Sequence, residues 1–135
     1  MVQSALDCAQ ECAPSRILVV EDEPLIRFTV AEALRELGVS VIEAASADEA
    51  WQYLNSGGAV DLVFTDHRMP GSMLGVELAT RIRRAFPSLG VIVTSAYLEG
   101  GEWPGPFIAK PYNVFTAAAE LAEMASKKRQ KEAGP

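Results

Sequence analysis

One stretch constrains the fold more than any other: Val60-Asp61-Leu62-Val63-Phe64-Thr65-Asp66. Five of its first six residues are aliphatic, aromatic or β-branched. A near-continuous apolar run of this kind reads as a strand buried on both faces, as in a parallel sheet. It ends on a carboxylate, and His67-Arg68-Met69-Pro70-Gly71 breaks the pattern before a helical spacing begins near Met73. Open α/β sheets hold their ligands at the C-terminal ends of such strands. Asp66 is therefore the first candidate for a functional residue, weighed against an Asp that only starts a turn.

The flanking chain supplies the rest of a sheet. Ile17-Leu18-Val19-Val20 is a first strand, running straight into Glu21-Asp22-Glu23. Pro24 opens a helix with apolar positions Leu25, Ile26, Phe28, Val30, Ala33, Leu34 and Leu37, closed by Gly38. A second strand over 39–42 leads to a helix capped by Ser46 or Asp48 and ended by Asn55-Ser56-Gly57-Gly58. The third strand covers 60–65. The third helix covers 73–86, with Leu74, Leu78, Ile82 and Phe86 four apart and Pro87 as its stop. Val91-Ile92-Val93-Thr94-Ser95 is the fourth strand. Residues 96–106 hold three glycines and two prolines, which leaves no room for an ordinary helix. Phe107-Ile108-Ala109 is a short fifth strand, and a last helix begins near Asn113. This alternation predicts an α/β fold, a doubly wound five-stranded parallel sheet of order 2-1-3-4-5 with a reduced fourth helix.

With 135 residues the chain predicts one domain, over 16–126, between a flexible lead-in (1–15) and a basic, frayed tail (127–135). A hydrophobic fraction of 49% against 22% charged residues places it among folded globular proteins. A net charge of −6 argues against general affinity for nucleic acid, and no direct DNA binding is expected. No apolar run approaches a membrane span, and residues 1–12 lack the pattern of a signal peptide, so the expectation is a cytoplasmic protein with no membrane partner. Cys8 and Cys12 have no His or further Cys nearby and read as two reduced thiols.

Polar residues follow four different strands: Glu21-Asp22, Asp66, Ser95 and Lys110. Each alone is an ordinary turn residue, but together they converge on one edge of the sheet. Three carboxylates packed there repel one another unless a cation joins them. Oxygen donors without His or Cys suit magnesium, with manganese as the alternative. His67, the only histidine, is expected to point away from Asp66 and not to ligate. An aspartate can accept a phosphoryl group as a nucleophile, and the transfer needs charge neutralisation, which a metal and Lys110 would supply. Ser95 offers a hydroxyl donor.

These pieces resemble the receiver domain of two-component response regulators. The matching segments are Ile17-Leu18-Val19-Val20-Glu21-Asp22-Glu23-Pro24, Asp61-Leu62-Val63-Phe64-Thr65-Asp66 with Met69-Pro70-Gly71, Val91-Ile92-Val93-Thr94-Ser95-Ala96 and Phe107-Ile108-Ala109-Lys110-Pro111-Tyr112. The resemblance implies a flavodoxin-like fold and a phosphorelay switch, not a turnover enzyme, with Asp66 as phosphoacceptor. It implies metal binding by Asp22 directly, by Glu21 through water, by Asp66 and by the backbone carbonyl of Arg68. It makes Ser95 the switch hydroxyl in preference to Thr94, Phe107 the rotating aromatic and Lys110 the phosphate-binding lysine, with a cis peptide before Pro111. The implied partners are a histidine kinase or histidine phosphotransfer protein and a downstream protein target, for either a stand-alone receiver or one from a hybrid kinase. A magnesium-dependent phosphatase using Asp66 transiently is the competing expectation. Two departures stand out. Leu74 replaces the acidic or amide residue usual before Gly75. Trp103 sits in the shortened 96–106 segment, either as a lid over a groove beside Phe107 or as a plug in the gap left by the helix.

Overall fold

The computed structural model describes residues 14–69, 71, 73–97 and 103–133. Cys8, Cys12 and most of the expected lead-in lie outside the described residues. The elements in order are β1 (Arg16–Val20), α1 (Pro24–Glu36), β2 (Ser40–Ala44), α2 (Ala47–Asn55), β3 (Leu62–Asp66), α3 (Gly75–Ala85), β4 (Gly90–Ser95), β5 (Phe107–Ala109) and α4 (Val114–Ala133). The five strands form one parallel sheet in the order β2-β1-β3-β4-β5. The order places β1 and β3 side by side, so the residues following both strands meet at one crevice.

Strand alternation sorts the core into two layers. Leu18, Val20, Val63, Val91 and Val93 face α2 and α3, where Ala50, Leu54, Leu78 and Ile82 meet them. Ile17, Val19, Leu62, Phe64 and Ile92 face α1 and α4, where Val30, Leu34, Leu121 and Ala125 close the other side. Side chains such as Leu34, Ile82 and Leu121 are fully enclosed. Each contributes roughly 2 kcal/mol by leaving water.

Element ends shift from expectation by a few residues. β2 begins at Ser40 and runs to Ala44, β3 begins at Leu62, and α3 spans Gly75–Ala85. The apolar positions expected to bury α1 do so only in part. Val30, Ala33 and Leu34 are buried, whereas Leu25 is 71% and Phe28 54% exposed. At 100° per residue Leu25 and Phe28 turn away from Leu34, and Ile26 and Leu37 stand near the helix ends, beyond full cover. The tail expected to fray from residue 127 is helical through Ala133. Its sequence favours helix, and it is tied down. Lys127 pairs with Glu123 at 3.2 Å, Lys128 Nζ donates to the Ser88 carbonyl at 2.7 Å, and Arg129 reaches Asp61 at 3.6 Å.

Between β4 and β5 the described residues carry no helix. Trp103 is buried against the layer that holds α3. Its Nε1 donates to the Pro106 carbonyl at 2.8 Å, and the Arg83 guanidinium lies over the ring at 4.8 Å. Of the two expectations for Trp103, the plug describes this conformation.

Candidate functional site

The C-terminal ends of β1 and β3 build the site. The Glu21 N–H extends the β1 ladder to the Ala44 carbonyl at 3.1 Å, which fixes Glu21 at the sheet's edge. Its side chain is buried, and one carboxylate oxygen, Oε2, accepts the Glu23 N–H at 3.1 Å. Asp22 is half-buried beside it. Asp66 is buried at the end of β3, in register with Thr94 of β4. Carboxylate oxygens of Glu21, Asp22 and Asp66 all lie within 4.8 Å of one another.

A single lysine crosses this cluster. Lys110 Nζ is 3.0 Å from Asp66 Oδ1 and 3.7 Å from Glu21 Oε1. It follows β5, whose last residue pairs with Ser95, and the Lys110 N–H donates to the Ser95 carbonyl at 3.0 Å. The next peptide, Lys110–Pro111, is cis. Burial holds the Glu21 carboxyl above its ordinary value of 4.5, and the Asp66 charge adds to that. The Glu23 N–H and Lys110 pull the other way. The Tyr112 phenol is pushed up to about 12, first by burial and then by the charges of Glu21 and Asp66. It is therefore neutral at physiological pH. Its ring meets Phe64 edge-on at 5.9 Å. Tyr112 is a neighbour of the site that no spacing in the sequence marks. Its signals are its place after Lys110–Pro111 and its contact with a residue of β3.

The donor set fits a hard divalent cation. Among the described residues, three crowded carboxylates could supply oxygen ligands, one lysine leaves them short of positive charge, and no imidazole belongs to the cluster. His67 is buried, and its Nδ1 accepts the Val76 N–H at 3.2 Å. Arg68 follows on the exposed side of the same loop.

Not every expected residue reaches the carboxylates. The Ser95 hydroxyl is buried but turned into its own chain: it donates to the Tyr97 carbonyl at 2.9 Å and accepts the Tyr97 N–H at 3.2 Å. Thr94 Oγ1 is buried without a hydrogen-bond partner among the described residues. Phe107, on β5, is 40% exposed.

The response regulator receiver domain family matches residues 17–101. The sensor kinase CckA of Brucella abortus is 34% identical over 119 residues, a match that covers 82% of this chain and 12% of that much longer protein. The receiver domain of the hybrid histidine kinase CckA superposes with a TM-score of 0.70 at 33% identity, covering 82% of this chain and 99% of that one. The response regulator TrrA of Thermotoga maritima, solved in complex with Mg2+ and BeF, gives a TM-score of 0.70 at 32% identity over 82% of this chain and 98% of that one. These likenesses support a phosphoacceptor role and set aside the phosphatase expectation. With this sheet order and this acidic edge, the chain belongs to the response regulator receiver domains of two-component signalling.

Proposed function

We propose that Asp66 takes a phosphoryl group from a histidine kinase or a histidine phosphotransfer protein, and that the chain then signals by protein contact. One observation carries this reading: carboxylates from two strand ends lie within 4.8 Å of one another, with Lys110 Nζ 3.0 Å from the Asp66 carboxylate. In the transfer, an Asp66 oxygen forms a new bond to phosphorus as the bond from phosphorus to the donor imidazole nitrogen breaks. The electron pair stays on that nitrogen, which takes a proton from solvent. In this reading Asp22 and Asp66, Glu21 through water, and the backbone carbonyl of Arg68 would hold Mg2+. When bound, such a cation would supply positive charge for the transferring phosphoryl oxygens. Lys110 moves from Asp66 Oδ1 to the new phosphoryl group. Ser95 leaves its turn with Tyr97 to donate to the same group, and Phe107 follows it. That TrrA was solved with Mg2+ and BeF supports the same reading for this chain.

The exposed Leu25, Ile26 and Phe28 stand on the first turns of α1, just after Asp22, as an apolar surface for the phosphodonor. A cytoplasmic setting suits this chemistry, and no helix among the described residues is long and apolar enough to cross a membrane. The protein acts as a switch, turning over no substrate beyond its own phosphoryl group. The test is incubation with Mg2+ and acetyl phosphate, followed by intact-mass measurement. The parent gains one base-labile phosphoryl group and Asp66→Asn gains none; equal labelling of the Asn variant would overturn the assignment.

A further inference from the structure

The loop between Asp66 and α3 is closed by one side chain. Leu74 is the residue at the N-cap of α3, with extended backbone (φ −83°, ψ 158°), and it makes no side-chain cap bond. An aliphatic side chain has no acceptor to offer, so the first N–H groups of the helix need partners from elsewhere. His67 supplies two. Its carbonyl accepts the Gly75 N–H at 2.9 Å, and its Nδ1 accepts the Val76 N–H at 3.2 Å. Val76 is the second residue of the helix, one of the positions a capping side chain ordinarily serves. The His67 N–H points back into the site, shared between Asp66 Oδ1 at 2.9 Å and the Thr94 carbonyl at 3.0 Å. The fit at Gly75 is close enough that a Cβ there would collide with the Asp66 carbonyl oxygen.

We propose that the His67 imidazole is the N-cap of α3 in place of Leu74, and that through this bond His67 is a positioning residue for the Asp66 carboxylate. One residue thereby joins β3, β4, α3 and the carboxylate, and the loop that carries Arg68 is pinned where it leaves the strand and where it enters the helix. The positioning half rests on the reading of Asp66 as phosphoacceptor. The capping half stands on the hydrogen bonds alone. A buried imidazole that only fills space makes different predictions, because Leu fills that space about as well while Asn keeps an acceptor near the place of Nδ1.

The test uses the full chain and four variants: His67→Leu, His67→Asn, Leu74→Asp and the double change His67→Leu with Leu74→Asp. Two quantities are read, the thermal midpoint and the affinity for BeF3− in the presence of Mg2+. His67→Leu should lower Tm by about 4 °C and weaken BeF3− binding about fivefold, the size of one lost cap. His67→Asn should stay near the parent in both. Leu74→Asp should change the parent little, because the helix is already capped, yet recover most of the loss in the His67→Leu background. That non-additivity is the signature of two groups competing for one role. The inference is overturned if Asn is as poor as Leu, or if Leu74→Asp raises Tm equally in both backgrounds. Should His67→Leu fail to fold, Leu74→Asp in the parent still decides: a neutral effect supports the cap, and a gain of about 4 °C refutes it. Failure of the parent itself to bind BeF3− with Mg2+ would overturn the phosphoacceptor reading and the positioning half together, while the Tm comparison continues to judge the cap.

Discussion

Asp61 and Asp66 bracket the same strand, five residues apart and equally buried, at 7% and 6% exposure. Their surroundings differ. At the N-terminal edge, Asp61 Oδ2 accepts the Arg16 N–H at 2.8 Å and lies 3.6 Å from the Arg129 guanidinium. Its own N–H donates to the Arg16 carbonyl at 2.8 Å. This carboxylate ties β1, β3 and the end of α4 together, and its charge is answered from within the fold. At the C-terminal edge, Asp66 shares its space with Glu21 and Asp22, and among the described residues one lysine serves the cluster. There the fold holds more negative charge than it balances. Burial alone does not distinguish a structural acid from a functional one; the balance of charge around it does.

The largest contrast comes from removing each carboxylate. Asp61→Ala strips an acceptor from a buried joint and should cost about 2 kcal/mol, a Tm loss of several degrees, while leaving acetyl phosphate labelling intact below the transition. Asp66→Ala should abolish labelling and, by relieving repulsion, leave the metal-free protein at least as stable as the parent. Thermal scans in chelator, run beside labelling assays, read both. A destabilised Asp66→Ala, or an Asp61→Ala that folds but no longer labels, would erase the contrast.

Within the acidic edge, neighbours in sequence should also separate. Asp22 belongs to the carboxylate cluster, whereas Glu23 is exposed and lends it only a backbone N–H. Asp22→Ala should weaken Mg2+ binding about tenfold or more, close to 1.4 kcal/mol per decade, and Glu23→Ala should hardly change it. Superimposable Mg2+ titrations for the two variants would remove Asp22 from the metal site.

A smaller effect concerns pH. The Glu21 carboxyl is held above its ordinary value of 4.5, mainly by burial. It therefore binds its proton more tightly folded than unfolded. Its contribution to stability is full below about 4.5 and is lost as pH rises through the raised value. Glu21→Gln should accordingly make the metal-free protein more stable than the parent at pH 7, with the advantage shrinking as pH falls toward 4.5. Saturating Mg2+ should reverse the order if Glu21 helps to hold the ion as proposed, because only the parent then keeps that carboxylate. Urea titrations at several pH values check the sign, and a variant less stable than the parent at pH 7 without metal contradicts it.

The sequence carried the acidic edge and left other parts of the molecule hidden, for physical reasons. Apolar runs ending on Glu21, Asp66, Ser95 and Lys110 are legible because a parallel sheet aligns all its strand ends on one side. Side-chain partners across a loop have no periodicity to announce them. His67 meets Val76 nine residues away only because Leu74 leaves the helix start uncapped. Ser95 is legible as a hydroxyl at a strand end, but its bonds to the Tyr97 backbone in the unphosphorylated chain are not, because a turn partner two residues on carries no spacing signal. On α1, helical spacing groups apolar residues without saying whether anything covers them, so exposed Leu25 and Phe28 read the same as buried Leu34. Trp103 left two readings open because glycine and proline forbid a helix without specifying what replaces it. Asp61 read as one polar residue in a strand, since its partner Arg129 lies in a stretch expected to fray.

The smallest predicted effect tests the structural end of the comparison. Arg129 reaches Asp61 at 3.6 Å, but its side chain is 42% exposed, so solvent screens much of the attraction. The Arg16 N–H remains as a donor to the same carboxylate after Arg129 is removed. Arg129→Ala should therefore cost only about 0.5 kcal/mol, or a Tm loss of one or two degrees, far less than Asp61→Ala. Raised salt should shrink the difference further, because a partly exposed pair is screened over about 10 Å at 0.1 M ionic strength. Labelling by acetyl phosphate should not change, since Arg129 stands at the opposite edge of the sheet from Asp66. A loss as large as that of Asp61→Ala would mean that the guanidinium, and not the Arg16 N–H, neutralises the buried acid. A change in labelling would mean that the two ends of β3 are coupled along the strand and are not independent sites.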